Sequence, residues 1–148
     1  MDDTSGPVAR PIELSVGNAD IDRLLEAKTV AVPGLGNRPE RPAYDVAAYL
    51  QANGYRVVPI HPIADEVLGE KVYRSLVEVP FEIDVVDVFR RAEYLDEVVD
   101  DAIAKGVRLG IWGQYSVVDV AAAAKARAAG LTVVMDRCML VEHERRLP

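Results

Sequence analysis

The chain has 148 residues, half of them apolar and 28% charged, enough for one compact domain and too few for two. Its 17 basic and 24 acidic residues give a net charge of −7, which argues against a broad electrostatic face for nucleic acid. No apolar run approaches about 18 residues, so no membrane span is expected.

Asp2 and Asp3 open the chain with no apolar stretch behind them, so no secretory signal is expected and the reading is a soluble, cytoplasmic protein. One cysteine, Cys138, and two distant histidines, His61 and His143, form neither a disulfide nor a metal-ligand cluster. Residues 1–18 read as a flexible tail broken by Gly6, Pro7, Pro11 and Gly17, and residues 19–148 as the domain. A short helix over residues 20–26 takes Asn18 or Asp20 as its cap. Residues 29–32 are a buried strand that stops in the turn at Pro33 and Gly34.

Pro42 suits a first helical position, and Tyr44, Val46, Ala47 and Leu50 recur behind it at helical spacing until Asn53 and Gly54. The second strand covers residues 55–60 and closes at His61 and Pro62. Residues 63–70 are too short for a crossover helix and read as loop, followed by a short edge strand at residues 71–73. Ser75 and Glu78 have capping-box spacing for a brief helix before Pro80. Three further strands, at residues 84–89, 107–112 and 131–135, alternate with helices at 94–105, 118–129 and 137–146. This alternation predicts an α/β domain, a doubly wound, Rossmann-like parallel sheet in the order 3-2-1-4-5-6. A ligand is then expected where the order reverses, outside the carboxyl ends of the first and fourth strands.

Residues 33–42 after the first strand hold Gly34, Leu35, Gly36, Asn37, Arg38 and Arg41, and the fourth strand runs into Phe89, Arg90 and Arg91. Two glycines let backbone N–H groups approach a ligand, the next helix aims its positive end there, and arginines bind phosphate oxygens in a fork. The alternative is a plain βα turn whose arginines pair with Glu40, Glu93 or Asp87. The dinucleotide fingerprint is incomplete: Pro39 replaces the third glycine, and Ile60, His61 and Pro62 stand where an acid would hold the ribose of NAD. A phosphorylated adenine nucleotide other than the nicotinamide cofactors fits better.

Six segments in order carry a resemblance to the small bacterial and archaeal CoA-binding proteins, Rossmann-like domains related to the CoA-binding region of the succinyl-CoA ligase α-subunit. They are residues 30–35, 41–44, 54–62, 85–91, 112–114 and 135–138. The resemblance implies coenzyme A or an acyl-CoA across the first and fourth strand ends. It assigns phosphates to Gly34, Leu35, Gly36, Asn37, Arg38 and Arg41, and the adenosine end to His61 and Pro62. It gives Phe89, Arg90 and Arg91 the pyrophosphate or pantetheine, and puts Gln114 near the pantetheine. This chain departs from the family pattern at Pro33, at His61 (commonly Asn) and at Ser116 (commonly Gly).

Among the remaining residues, His61 reads first as a structural hydrogen-bonding group and Cys138 as a buried, inert thiol. Trp112 and Tyr115 are expected to pack, with lining of a pocket mouth as the alternative for either, while Asp84 and Asp87, three apart on a strand, face opposite sides and make no catalytic pair. The leading expectation is a CoA-binding protein without catalytic residues of its own. An NAD(P)-linked oxidoreductase is the second reading. A module that senses acyl-CoA for a protein partner, or assembles with its own copies, is the third.

Overall fold

Apolar runs with almost no polar alternation must be covered on both faces, and the computed structural model, which describes residues 17–148, lays them side by side in one sheet. In chain order the strands are β1 (Thr29–Pro33), β2 (Arg56–Ile60), β3 (Glu66–Val67), β4 (Glu70–Lys71), β5 (Val85–Val88), β6 (Gly110–Gly113) and β7 (Thr132–Val134). Five of them form a parallel sheet ordered β2-β1-β5-β6-β7, while β3 and β4 form a separate antiparallel hairpin. In β1, β2, β5 and β6 nearly every residue is buried.

Helices α1 (Asn18–Leu25), α2 (Pro42–Ala52) and α5 (Met139–Arg145) cover one face, packing Leu24, Leu50 and Met139 with Val30, Val57 and Trp112. Helices α3 (Leu95–Lys105) and α4 (Val120–Ala128) cover the other, packing Val99 and Ala126 with Val86 and Ile111. None of the described helices is long and apolar enough to cross a membrane. Helix α1 packs against β6, β7 and α5. Arg146 clasps it there, with Nε on Asp22 Oδ1 at 2.6 Å and Nη2 on Asn18 Oδ1 at 3.0 Å.

The central order matches the expected doubly wound pattern, but the expected third strand is not in the sheet. Residues 66–71 fold back on themselves through Leu68 and Gly69, both at positive φ. What remains of the third strand is one bridge, Tyr73 beside Ile60, with Tyr73 N–H donating to Pro59 O at 3.1 Å. The segment is too short to run a crossover and then lie along β2, so it makes one rung and departs.

Smaller differences are local. The N-cap position of α1 is Gly17, not Asn18 or Asp20; of the expected tail over residues 1–18, Asn18 belongs to α1 and residues 1–16 lie outside the described residues. Ser75 makes no side-chain cap bond to its short 3-10 turn (Leu76–Glu78), because Glu78 Oε1 accepts from Arg74 N–H instead. Tyr115, expected to pack, is 58% exposed. Trp112 is fully buried, its Nε1–H donating to Arg137 O at 2.8 Å.

Candidate ligand-binding site

Because β1 and β5 are neighbours while the chain winds away from them in opposite directions, their carboxyl ends open a crevice. Pro33 ends β1 there, and Phe89 follows β5. Gly34 turns the chain at φ +84°, a conformation glycine adopts without strain. Its N–H donates to Ile60 O at 2.7 Å, and Leu35 N–H donates back to Val32 O at 3.2 Å, so these two amides hold the loop. Beyond them, the N–H groups of Gly36, Asn37 and Arg38 have no acceptor among the described residues and are available to an anion. Helix α2 begins at Pro42 with no side-chain cap and with Asp45 in its first turn, so uncapped N–H groups also meet the crevice.

Two hollows occupy the crevice. The first, about 160 Å³, is lined by Gly34, Leu35, Gly36, Arg38, Arg41 and His61 among others. The second, about 350 Å³, shares Gly34 and Arg41 with the first and adds Phe89, Arg90, Arg91 and Tyr94. Four guanidinium groups therefore border one continuous trough in a protein whose net charge is −7. Arg38 pairs with Glu40 at 2.6 Å and Arg91 with Glu93 at 3.3 Å, both solvent-exposed pairs that yield readily to a better anion. A hydrogen bond from its own backbone and then the Arg38 guanidinium hold the Glu40 carboxyl below its ordinary range. Arg90 lies 4.2 Å over the Tyr94 ring and 3.5 Å from Glu97, while Arg41 makes no ion pair among the described residues.

His61 has a structural task that also orients it toward the trough. Its Nδ1 accepts from the N–H groups of Ile63 at 3.1 Å and Ala64 at 3.0 Å. An accepting Nδ1 carries no proton, so the neutral ring keeps its proton on Nε2. That nitrogen faces Gly36 so closely that a Cβ there would lie 2.8 Å from it. Glycine at this position is what lets the imidazole edge reach the loop.

Three assigned residues stand apart from both hollows. Asn37 Nδ2 donates to Glu66 O at 2.8 Å, tying the loop to the β3–β4 hairpin, and Pro62 is exposed beside it in the chain from His61. Gln114 is buried, and its Oε1 accepts from Met139 N–H at 3.1 Å, which caps α5. The two acids named in the sequence also separate. Asp84 accepts from Lys28 and Thr29 N–H and from Arg108 Nε at the opposite end of the sheet. Burial pushes its carboxyl up, but those bonds outweigh burial and hold it below the ordinary range. Asp87, two residues before Phe89, is fully buried, and neither oxygen has a hydrogen-bond partner among the described residues. Burial pushes its carboxyl well above the ordinary range, a feature that sequence spacing alone does not reveal.

A parallel sheet with its amide-rich loop, helix terminus and arginines gathered at one switch point is an arrangement that α/β domains use to hold anionic ligands. The chain belongs to the CoA-binding domain family, which it matches over residues 28–144. It is 37% identical over 126 residues to the Bacillus subtilis protein YneT, covering 84% of this chain and 93% of that one. A Pyrococcus horikoshii protein of solved structure superposes with a TM-score of 0.85 at 41% identity, covering 95% of this chain and 98% of that one. A Thermus thermophilus structure does so at 0.80 and 34% identity, covering 88% and 98%. The ADP-forming acetate–CoA ligase II of Archaeoglobus fulgidus is 30% identical over 91 residues, 60% of this chain but 14% of the ligase.

Proposed function

We propose that the chain binds coenzyme A or an acyl-CoA across the carboxyl ends of β1 and β5, with no catalytic residues of its own. The observation that carries this reading is the shared trough, where Arg38, Arg41, Arg90 and Arg91 surround unbonded amides and the uncapped start of α2. Amides of Gly36, Asn37 and Arg38 and the guanidinium of Arg41 take phosphate oxygens, and Nε2–H of His61 adds one neutral donor. Phe89 and Tyr94 offer apolar surface to the rest of the ligand. Family membership supports the choice of CoA among phosphorylated nucleotides, and the missing acid after β2 disfavours NAD.

Calorimetric titration with CoA tests it. Each charge-assisted contact contributes about 1.5–3 kcal/mol, so Arg41→Ala and Arg90→Ala should each weaken CoA binding by roughly tenfold or more while the fold is kept. Unchanged affinity in both variants removes the phosphate assignment, and NADH binding as tightly as CoA removes the choice of ligand.

A further inference from the structure

Strand β2 is an edge of the sheet, and Tyr73 makes the one rung beside it. Pro59 turns its backbone to this edge, where its carbonyl accepts from Tyr73 N–H, and it has no N–H to offer a further strand. The flank is therefore open to contact through side chains and closed to extension of the sheet. The loop at residues 61–65 lies along it and is pinned from both sides. The His61 ring holds the amides of Ile63 and Ala64. Arg74 donates through Nη1 to the carbonyls of His61 at 3.0 Å and Ala64 at 2.5 Å, and through Nη2 to Asp65 Oδ1 at 2.9 Å.

This fixed loop leaves Ile63 79% exposed, with Pro62 exposed beside it. The N–H of Arg74 donates to Glu78 Oε1 and draws in the 3-10 turn, where Val77 is 57% exposed and Pro80 follows, also exposed. Apolar residues scattered singly over a surface are ordinary, whereas four around one arginine on a pinned backbone mark a contact surface. Among them opens a shallow hollow of about 600 Å³, lined by Lys71, Tyr73, Arg74, Glu78 and Pro80 among others. Lys71, on β4, and Glu78, on the turn, are both exposed, and neither makes an ion pair among the described residues. One unpaired cation and one unpaired anion thus border the same hollow. A two-fold axis matches such a surface with itself, because each copy supplies the charge that the other lacks.

We propose that this flank is where the chain associates with a second copy of itself. The two copies meet about a two-fold axis through the hollow, with Ile63, Val77 and Pro80 of each buried in the contact. Lys71 of one copy pairs with Glu78 of the other, and the same pair recurs across the axis. The pinned loop is ordered before the copies meet, so association immobilises little new backbone. The contact is small, and the dimer it makes is weak, with a dissociation constant of about 10–100 μM.

Sedimentation of the full chain without ligand tests the assignment, so its outcome is independent of the CoA reading. The wild-type mass should climb toward twice that of the monomer as concentration passes about 100 μM. Ile63→Asp should weaken association about tenfold or more. Lys71→Glu and Glu78→Lys each set like charges against each other at both pairs, and each alone should do the same. An equal mixture of these two reversed variants restores an attractive pair on both sides of the axis, and it should associate within about threefold of the wild-type strength. All three changes are at exposed positions, and a thermal melt of each variant checks that the fold is kept. A wild-type chain that stays monomeric to about 500 μM overturns the proposal, whatever other protein the flank retains. So does a dimer indifferent to all three variants, which forms through another face, or a mixture that associates no better than its components.

Discussion

Gly36 and His61 depend on each other at atomic range. A methyl group at position 36 would stand 2.8 Å from Nε2 and 2.9 Å from Cδ2, and the ring cannot retreat without releasing the two amides on its Nδ1. Gly36→Ala should therefore lower stability by about 1–2 kcal/mol in urea titration and weaken CoA binding in calorimetry. A variant that matches the parent in both would show that the imidazole moves freely. Ser116 presents the opposite case, a residue held at φ +70° where glycine would be unstrained, its N–H donating to Asp136 Oδ1 at 2.9 Å. Ser116→Gly keeps that bond and should raise stability by up to about 1 kcal/mol in the same titration. Individual roles such as these were the least legible part of the sequence. The resemblance puts Gln114 near the pantetheine, whereas its bond to the Met139 amide, 25 residues away, leaves no local signal in the sequence.

Elements were easier to read where their boundaries are local chemistry. Pro42 opens α2 and Gly54, at φ +94°, follows its end, both visible as letters in the chain. Helix α4 begins two residues later than its apolar pattern suggests because Asp119 accepts from Ala122 N–H at 3.0 Å. Asp119→Ala should lower stability by about 1 kcal/mol, read as a fall in denaturant midpoint at unchanged slope. An unchanged midpoint would mean that packing of Ala122, Ala123 and Ala126 alone sets the start of that helix. The β3–β4 hairpin escaped detection for the converse reason. Its turn is Leu68-Gly69 rather than Asn-Gly, and its strands are two residues each, too short to show alternation. The lost third strand is a tertiary outcome of that hairpin, which consumes the chain before it can follow β2.

At the scale of the molecule, the central strand carries a titration that folding must oppose. In the unfolded chain the Asp87 carboxyl ionises near its ordinary value, whereas in the folded chain burial raises it. The folded state therefore holds the extra proton in between, and stability falls as pH rises from the unfolded value to the folded one. Asp84 acts with the other sign: its lowered carboxyl contributes stability that is lost as pH falls through its folded value. Asp87→Asn should flatten the decline toward neutral pH in thermal melts and leave the acid limb, governed by Asp84, in place. A decline that persists in that variant would assign it to another group. The closing feature is the seat of α1. Ile21 and Leu24 are buried against β6, β7 and α5, and Arg146 bonds Asn18 across 128 residues. Synthesis runs the other way: the ribosome makes this amphipathic helix early and its berth last. Until α5 emerges, a newborn chain displays that greasy stripe to the surrounding milieu, and final assembly of the domain waits on its two ends meeting.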